Sequence, residues 1–220
     1  ILLTAAAMTE SQTVPLVCLL SFLGYWLARM APKVLAWAGA GISALYILTA
    51  PWIFVAIYQP AIEQFRDWTS ASAGARLEIW RAVGGLSLER PVFGWGPEAI
   101  GKMEGIFSED DFFMNRSNHL TAHHPHNFAL QAWLDLGAIG AIVVTALIIL
   151  AFFRISHLPR PLAAAGVGMM TALIVGGSLS PGLWQAWWIS AICLAVCQFI
   201  IATRSDQPFA IAQIGASRPL

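Results

Sequence analysis

Long apolar runs broken by one polar interval organise this chain. Five stretches come close to, or exceed, the about 20 mainly apolar residues that a membrane-crossing helix needs. They are residues 14–30, slightly short; 34–58, long enough to span with tilt; 128–155, the most apolar; 161–178, rich in Ala and Gly; and 183–203. Between the second and third, residues 59–127 leave the apolar pattern. Within that interval Leu77, Trp80, Ala82, Val83 and Leu86 recur near the helix period, which predicts a helix over 74–88. Glu89-Arg90-Pro91 ends it, because proline disfavours helical dihedrals in the residue before it. Phe93-Gly94-Trp95-Gly96-Pro97 then reads as a turn whose glycines permit unusual dihedrals, and residues 104–118 read as an acidic, irregular loop.

Composition agrees with the pattern. The chain is 58% hydrophobic and 11% charged, with mean hydropathy +0.68, where a soluble domain carries about 25% charged residues. The expected fold is all-α: a polytopic membrane helix bundle with a large, partly helical external loop. The small residues of 161–178 predict close packing against neighbouring helices. Trp184, Trp187 and Trp188 predict an interfacial aromatic belt. Cys18, Cys193 and Cys197 fall in apolar runs, and the four-residue spacing of Cys193 and Cys197 reads as packing rather than a disulfide. A net charge of zero gives no reason to expect a nucleic-acid partner. The chain opens at Ile1, and residues 1–8 resemble the tail of an earlier apolar span without the basic start of a signal peptide. It is therefore expected to be the C-terminal part of a longer membrane protein.

Charge in the short connections predicts orientation. Arg29 and Lys33, then Arg154, His157 and Arg160, then Arg204 and Arg218 mark three basic connections, whereas 179–182 carries no charge. Short basic loops stay in the cytoplasm. The expected division is therefore transmembrane helices over 1–58, an external loop over 59–127, transmembrane helices over 128–203 and a cytoplasmic tail over 204–220.

Candidate chemistry gathers in and just after the loop, which holds six basic and nine acidic residues and four of the five histidines. Arg76 and Trp80 share a helix face at i and i+4; the arginine fork suits phosphate oxygens and the indole suits a sugar or an interface. The other reading pairs Arg76 with Glu78 or Glu89 and lets Trp80 pack. Arg81 and Arg90 could also meet lipid phosphates. His126 stands directly before the third span, with Asn127 suited to cap its helix. A histidine there can take a proton from a hydroxyl, or simply sit among headgroups. His119, His123, His124 and His126 raise a zinc site, but Pro125 interrupts the helix such spacing needs, and neither an intervening Glu nor a nearby Cys completes a ligand pattern. Gln131 and Asp135 follow on one helix face, with Asp135 about 12 Å into the span at 1.5 Å per residue. An acid at that depth faces protein, either orienting a cation such as Arg76 or bonding a neighbouring helix. Gly137 and Gly140 mark close helix contact. Glycine-rich nucleotide loops and a Ser-His-Asp order are absent.

Taken in order, Arg76-x-x-x-Trp80, residues 91–96 (PVFGWG), residues 126–131 (HNFALQ) and Asp135-x-Gly137-x-x-Gly140 resemble the O-antigen ligase/polymerase superfamily over about the middle third of the chain. The resemblance implies a multi-pass enzyme of the bacterial inner membrane whose loop is a periplasmic catalytic loop. Such enzymes move a glycan from undecaprenyl diphosphate to a growing polysaccharide, lipid A-core or a protein side chain, without metal or other cofactor. It implies His126 as base, Arg76, Trp80, Arg81, Arg116, Gln131 and Asp135 as substrate-binding residues, and Gly94, Trp95, Gly96, Asn127, Gly137 and Gly140 as structural motif positions. Two departures stand out. Residues 9–13 (TESQT) occupy the place of a usual Ser-Arg pair, so Gln12 supplies no charge there, and Asp135 stands where many members carry Glu. Two other classes are kept beside this one. A non-catalytic membrane transport component predicts a polar path across the bilayer, and a zinc-dependent hydrolase predicts metal at the histidines.

Overall fold

The computed structural model describes residues 13–65, 71–103, 123–179 and 182–205, and every regular element among them is helical. In chain order these are α1 (Thr13–Met30), α2 (Pro32–Phe65), α3 (Ala71–Glu89), a short 3-10 turn (Ala99–Lys102), α4 (Phe128–Ser156), α5 (Arg160–Leu179) and α6 (Ala186–Ser205). Five of them, all but α3 and the 3-10 turn, are long and apolar enough to cross a membrane. The all-α, multi-pass arrangement is as expected. The second span, Pro32–Ile57, ends where expected, and the helix itself, α2, runs on to Phe65; residues 183 and 184, expected to open the last span, form a turn ahead of α6. The predicted loop helix is present and slightly longer, as α3.

Small residues set the packing of α5. Ala163, Ala164, Gly166 and Gly168 are buried. A Cβ on Gly168 would lie 3.1 Å from the Ser21 carbonyl of α1, and one on Gly24 would lie 2.8 Å from Thr171 Oγ1. This is the close backbone approach that small residues allow between helices in lipid. The core falls into two groups. One, around Ala28, Ala36, Phe152, Ile155 and Val167, joins α1, α2, α4 and α5. The other, around Ile47, Phe54, Val83, Leu130 and Leu134, seats α3 and the 3-10 turn on α2 and α4. Cys193 and Cys197 do not pack; both face outward on α6, the helix with the fewest neighbours.

The main surprise lies in α4. Gly137 has φ 65° and ψ −157°, which breaks the helix. Its close neighbour is not another helix but the loop after α3: a Cβ on Gly137 would strike the Val92 carbonyl, and one on Gly94 would lie 2.5 Å from the Leu134 carbonyl. Gly140 likewise meets α4 itself, at Ala132 and Leu136. A break frees carbonyls before it and N–H groups after it, which are costly to leave unpaired in an apolar setting. Residues 91–96 satisfy both sets. Trp95 and Gly96 N–H donate to the Leu134 and Asp135 carbonyls (2.7 and 3.0 Å), and Ala138 and Ile139 N–H donate to the Pro91 and Val92 carbonyls (2.7 and 3.5 Å). Gly94 (φ 69°) and Gly96 (φ 96°) supply the left-handed dihedrals of the docked loop. Arg90 closes over it, its guanidinium carbon 3.9 Å from the centre of the Trp95 ring, and Trp95 Nε1 donates to the Leu86 carbonyl.

Gly94 and Gly96 separate conformation from contact, because a Cβ on Gly96 meets nothing within 4 Å. Gly96→Ala is expected to destabilise by about 1–2 kcal/mol, the left-handed penalty alone. Gly94→Ala is expected to destabilise substantially more, since the loop must also leave α4. Thermal unfolding of the two variants in detergent checks this; equal losses would show that the docking contact is not what demands Gly94.

Candidate active site at the loop end of α4

The entry to α4 is fixed by Asn127. Its backbone is extended (φ −155°), its Oδ1 accepts from Ala129 and Leu130 N–H (both 3.1 Å), and its Nδ2 donates to the Tyr46 hydroxyl at 2.8 Å. The capping role expected of Asn127 is therefore its geometry. It also ties α4 to α2 through a tyrosine that the sequence pattern did not single out. The turn before it brings Pro125 inside and leaves His126 half-buried with φ 53°. A non-glycine residue in the left-handed region is uncommon, and such strain persists where the surroundings impose it.

Helix α3 reaches this turn through Trp80. Its Nε1 donates to the Pro125 carbonyl at 2.8 Å, and its ring packs on Phe54, centroids 4.8 Å apart. Arg76 lies one helical turn, about 5.4 Å, before Trp80 on the same face. It is half-buried, and neither Glu78 nor Glu89 pairs with it among the described residues. Arg81 is also half-buried but already holds interactions of its own. Arg90 is exposed and stacks on Trp95. Arg116, Gln12 and His119 lie outside the described residues.

Gln131 and Asp135 are buried, at 3% and 1% exposure, and occupied. Asp135 Oδ2 accepts from Gln131 Nε2 (3.2 Å) and Trp184 Nε1 (2.6 Å), while Oδ1 accepts from Ala99 N–H (3.3 Å). Gln131 Oε1 accepts from Leu183 N–H at 2.6 Å. The pair thus joins the turn between α5 and α6, and the 3-10 turn, to α4. No cation is brought to Asp135 among these partners. Trp184, expected in the interfacial belt, turns its N–H inward.

The histidines divide. His123 is exposed, whereas the His124 ring lies against His126, centroids 4.1 Å apart. His124 also touches the α5–α6 turn: its Nε2 is 3.4 Å from Gln185 Nε2, and a Cβ on Gly182 would lie 2.9 Å from its ring. His124 and Gln185 are neighbours of the site that spacing alone did not reveal, since they meet across 61 residues. Among the described residues no three His, Cys, Asp or Glu side chains converge as a metal site. Below Phe128, an apolar cavity of about 350 Å³ lies between α4, α5 and α6, lined by Ile148, Ile174, Trp188 and Val196 among others.

The cap should be worth more than an ordinary helix cap, because Tyr46, which also bonds Ser178, loses one of its two partners as well. Asn127→Ala is expected to destabilise by about 1–3 kcal/mol and Tyr46→Phe by about 1 kcal/mol. Thermal unfolding in detergent measures both; an Asn127→Ala variant as stable as the parent would mean that α4 starts without it.

Comparison with known proteins identifies the family. A family model described as O-antigen ligase matches residues 1–145. A Rickettsia conorii protein, provisionally named a polysaccharide ligase, is 32% identical over 124 residues, 56% of this chain and 30% of that protein. Relatives with the same provisional name from Rickettsia felis and Rickettsia typhi are 31% and 28% identical over 124 and 122 residues, again 30% of each. The chain thus matches under a third of the length of these relatives. No solved structure matches it. The family model covers well over half of the 220 residues and contains every motif that docks α3 and its loop on α4, so the chain belongs to the O-antigen ligase family.

Proposed function

We propose that this chain carries the transfer site of a membrane glycosyltransferase that moves a glycan from undecaprenyl diphosphate to an acceptor hydroxyl, as an O-antigen ligase or polysaccharide polymerase does. The site faces the periplasm in this reading, consistent with basic short connections at the opposite ends of the spans. The observation that carries it is the Trp80–Pro125 hydrogen bond, which ties the helix bearing Arg76 to the residue before His126. In this reading the cation Arg76 and the base His126 serve one site at this end of the bundle, and that hydrogen bond supports it.

The acceptor oxygen attacks the anomeric carbon and forms the new C–O bond. The bond from that carbon to the diphosphate oxygen breaks, and the lipid diphosphate leaves with the electron pair. Its growing charge needs a preorganised cation, a role for Arg76, whose guanidinium has no competing partner among the described residues. The acceptor proton passes to His126, half-buried between buried Pro125 and Asn127. Trp80 positions that segment, Gln131 and Asp135 act by position from inside the bundle, and Arg81 and Arg116 add positive charge along the diphosphate. The apolar cavity beneath Phe128 suits the hydrocarbon of a lipid carrier. A transport component would need a polar path through the bilayer. Among the described spans the one charge deep within is Asp135, and it is enclosed by Gln131, Ala99 and Trp184.

Arg76→Ala and His126→Ala are each expected to lower glycan transfer by at least about 100-fold in the full-length protein. Surface glycan on a gel, with protein level by immunoblot, reads the effect. Parental transfer by both variants at normal protein levels would overturn the assignment.

A further inference from the structure

The turn between α5 and α6 holds an aromatic ring in an unusual posture. A tryptophan at a membrane boundary ordinarily buries its ring and sends its N–H to headgroups and water. Trp184 does the reverse. Its Nε1 donates at 2.6 Å to Asp135, a carboxylate 1% exposed, while 37% of the residue stays accessible. The anchor is itself held, since Asp135 also accepts from Gln131 Nε2 and Ala99 N–H. The backbone is held too. Leu183 N–H donates to Gln131 Oε1 at 2.6 Å, and Gly182 N–H donates to Gln185 Oε1 at 3.0 Å. Trp187, 59% exposed, offers the contrast: it touches Trp188 and makes no hydrogen bond among the described residues, as a belt residue would.

The same turn leads to the proposed base. Gln185, next to Trp184, lies 3.4 Å from His124, whose ring rests on His126. A rigid, open indole thus stands in a turn that abuts the histidine pair. We propose that Trp184 is a stacking wall for a sugar ring of the donor glycan or of the acceptor glycan, resting on the glycosyl-transfer reading above. The C–H-rich face of a pyranose lies on the indole. Locking both side-chain torsions beforehand lowers the entropy lost when the sugar docks. The buried carboxylate serves here as the anchor of a binding surface, not as a ligand for the substrate.

Three variants of the full-length protein in nanodiscs test this: Trp184→Leu, Trp184→Phe and Trp187→Leu. Initial rates are taken with lipid-linked glycan extracted from the host membrane as donor and with delipidated host glycan as acceptor, each varied in turn. Trp184→Leu is expected to raise KM about tenfold, with kcat within about twofold, for whichever substrate stacks there, which identifies donor or acceptor. Trp184→Phe keeps a ring but loses the N–H that Asp135 holds, so it is expected to raise KM by less than Trp184→Leu does, and Trp187→Leu is expected to stay within about threefold of the parent. Parental kinetics in Trp184→Leu would overturn the proposal. So would equal losses of kcat and thermal stability in the Leu and Phe variants, which would make Trp184 a structural donor to Asp135, and so would equal effects at 184 and 187, which would make both lipid anchors. If Arg76→Ala and His126→Ala abolish transfer while Trp184→Leu does not change it, the stacking wall fails and the transfer reading stands. If Arg76→Ala and His126→Ala leave transfer intact, the transfer reading itself has failed.

Discussion

A helix interrupted in an apolar environment leaves backbone carbonyls and N–H groups that must find partners, and the break at Gly137 finds them in the loop after α3. The exchange is reciprocal: the loop donates to Leu134 and Asp135 and accepts from Ala138 and Ile139. Each unpaired group would cost several kcal/mol within a bilayer. Neither segment can therefore adopt its shape without the other. The glycines are the geometric condition, because Gly94 and Gly137 approach so closely that a side chain on either would meet the other segment's backbone.

The candidate site follows from this lock. With residues 91–96 held on α4, α3 is fixed along α2 and α4, and Trp80 meets Pro125. The short helical segment of α4 before Gly137 then carries Asn127, Gln131 and Asp135 in sequence, one for each neighbour that must be aligned. Asn127 engages α2, Gln131 the α5–α6 turn, and Asp135 both that turn and the 3-10 turn. Polar side chains that would be liabilities singly are satisfied together, and the result is a rigid end of the bundle with Arg76 and His126 on it.

Much of this was legible because it is periodic or compositional. Apolar length located the spans, helical spacing located α3, and an asparagine before an apolar run marked the start of α4. What hid from the sequence was pairing over distance. Gly137 read as a helix-contact glycine because its i+3 partner Gly140 suggested a small-residue face; the true partner lies in a loop, which no periodicity reports. Trp184 read as a belt residue because it opens an apolar run, and only the buried Asp135 shows where its N–H goes. His124 entered the sequence reading only as one of four histidines whose spacing Pro125 interrupts, yet Gly182 and Gln185 hold it against His126. Resemblance to a family grouped the motifs; the hydrogen bonds supply the reason that they occur together.

Docking of residues 91–96 into the helix break is tested most directly by amide hydrogen exchange. In the purified full-length protein, the Trp95, Gly96 and Ala138 amides should exchange as slowly as the buried helical amides of Leu130 and Gln131, and Gly137→Ala should release all three together. Exchange of Trp95 and Gly96 at the rate of an open loop in the parent protein, with Ala138 still protected, would contradict the account.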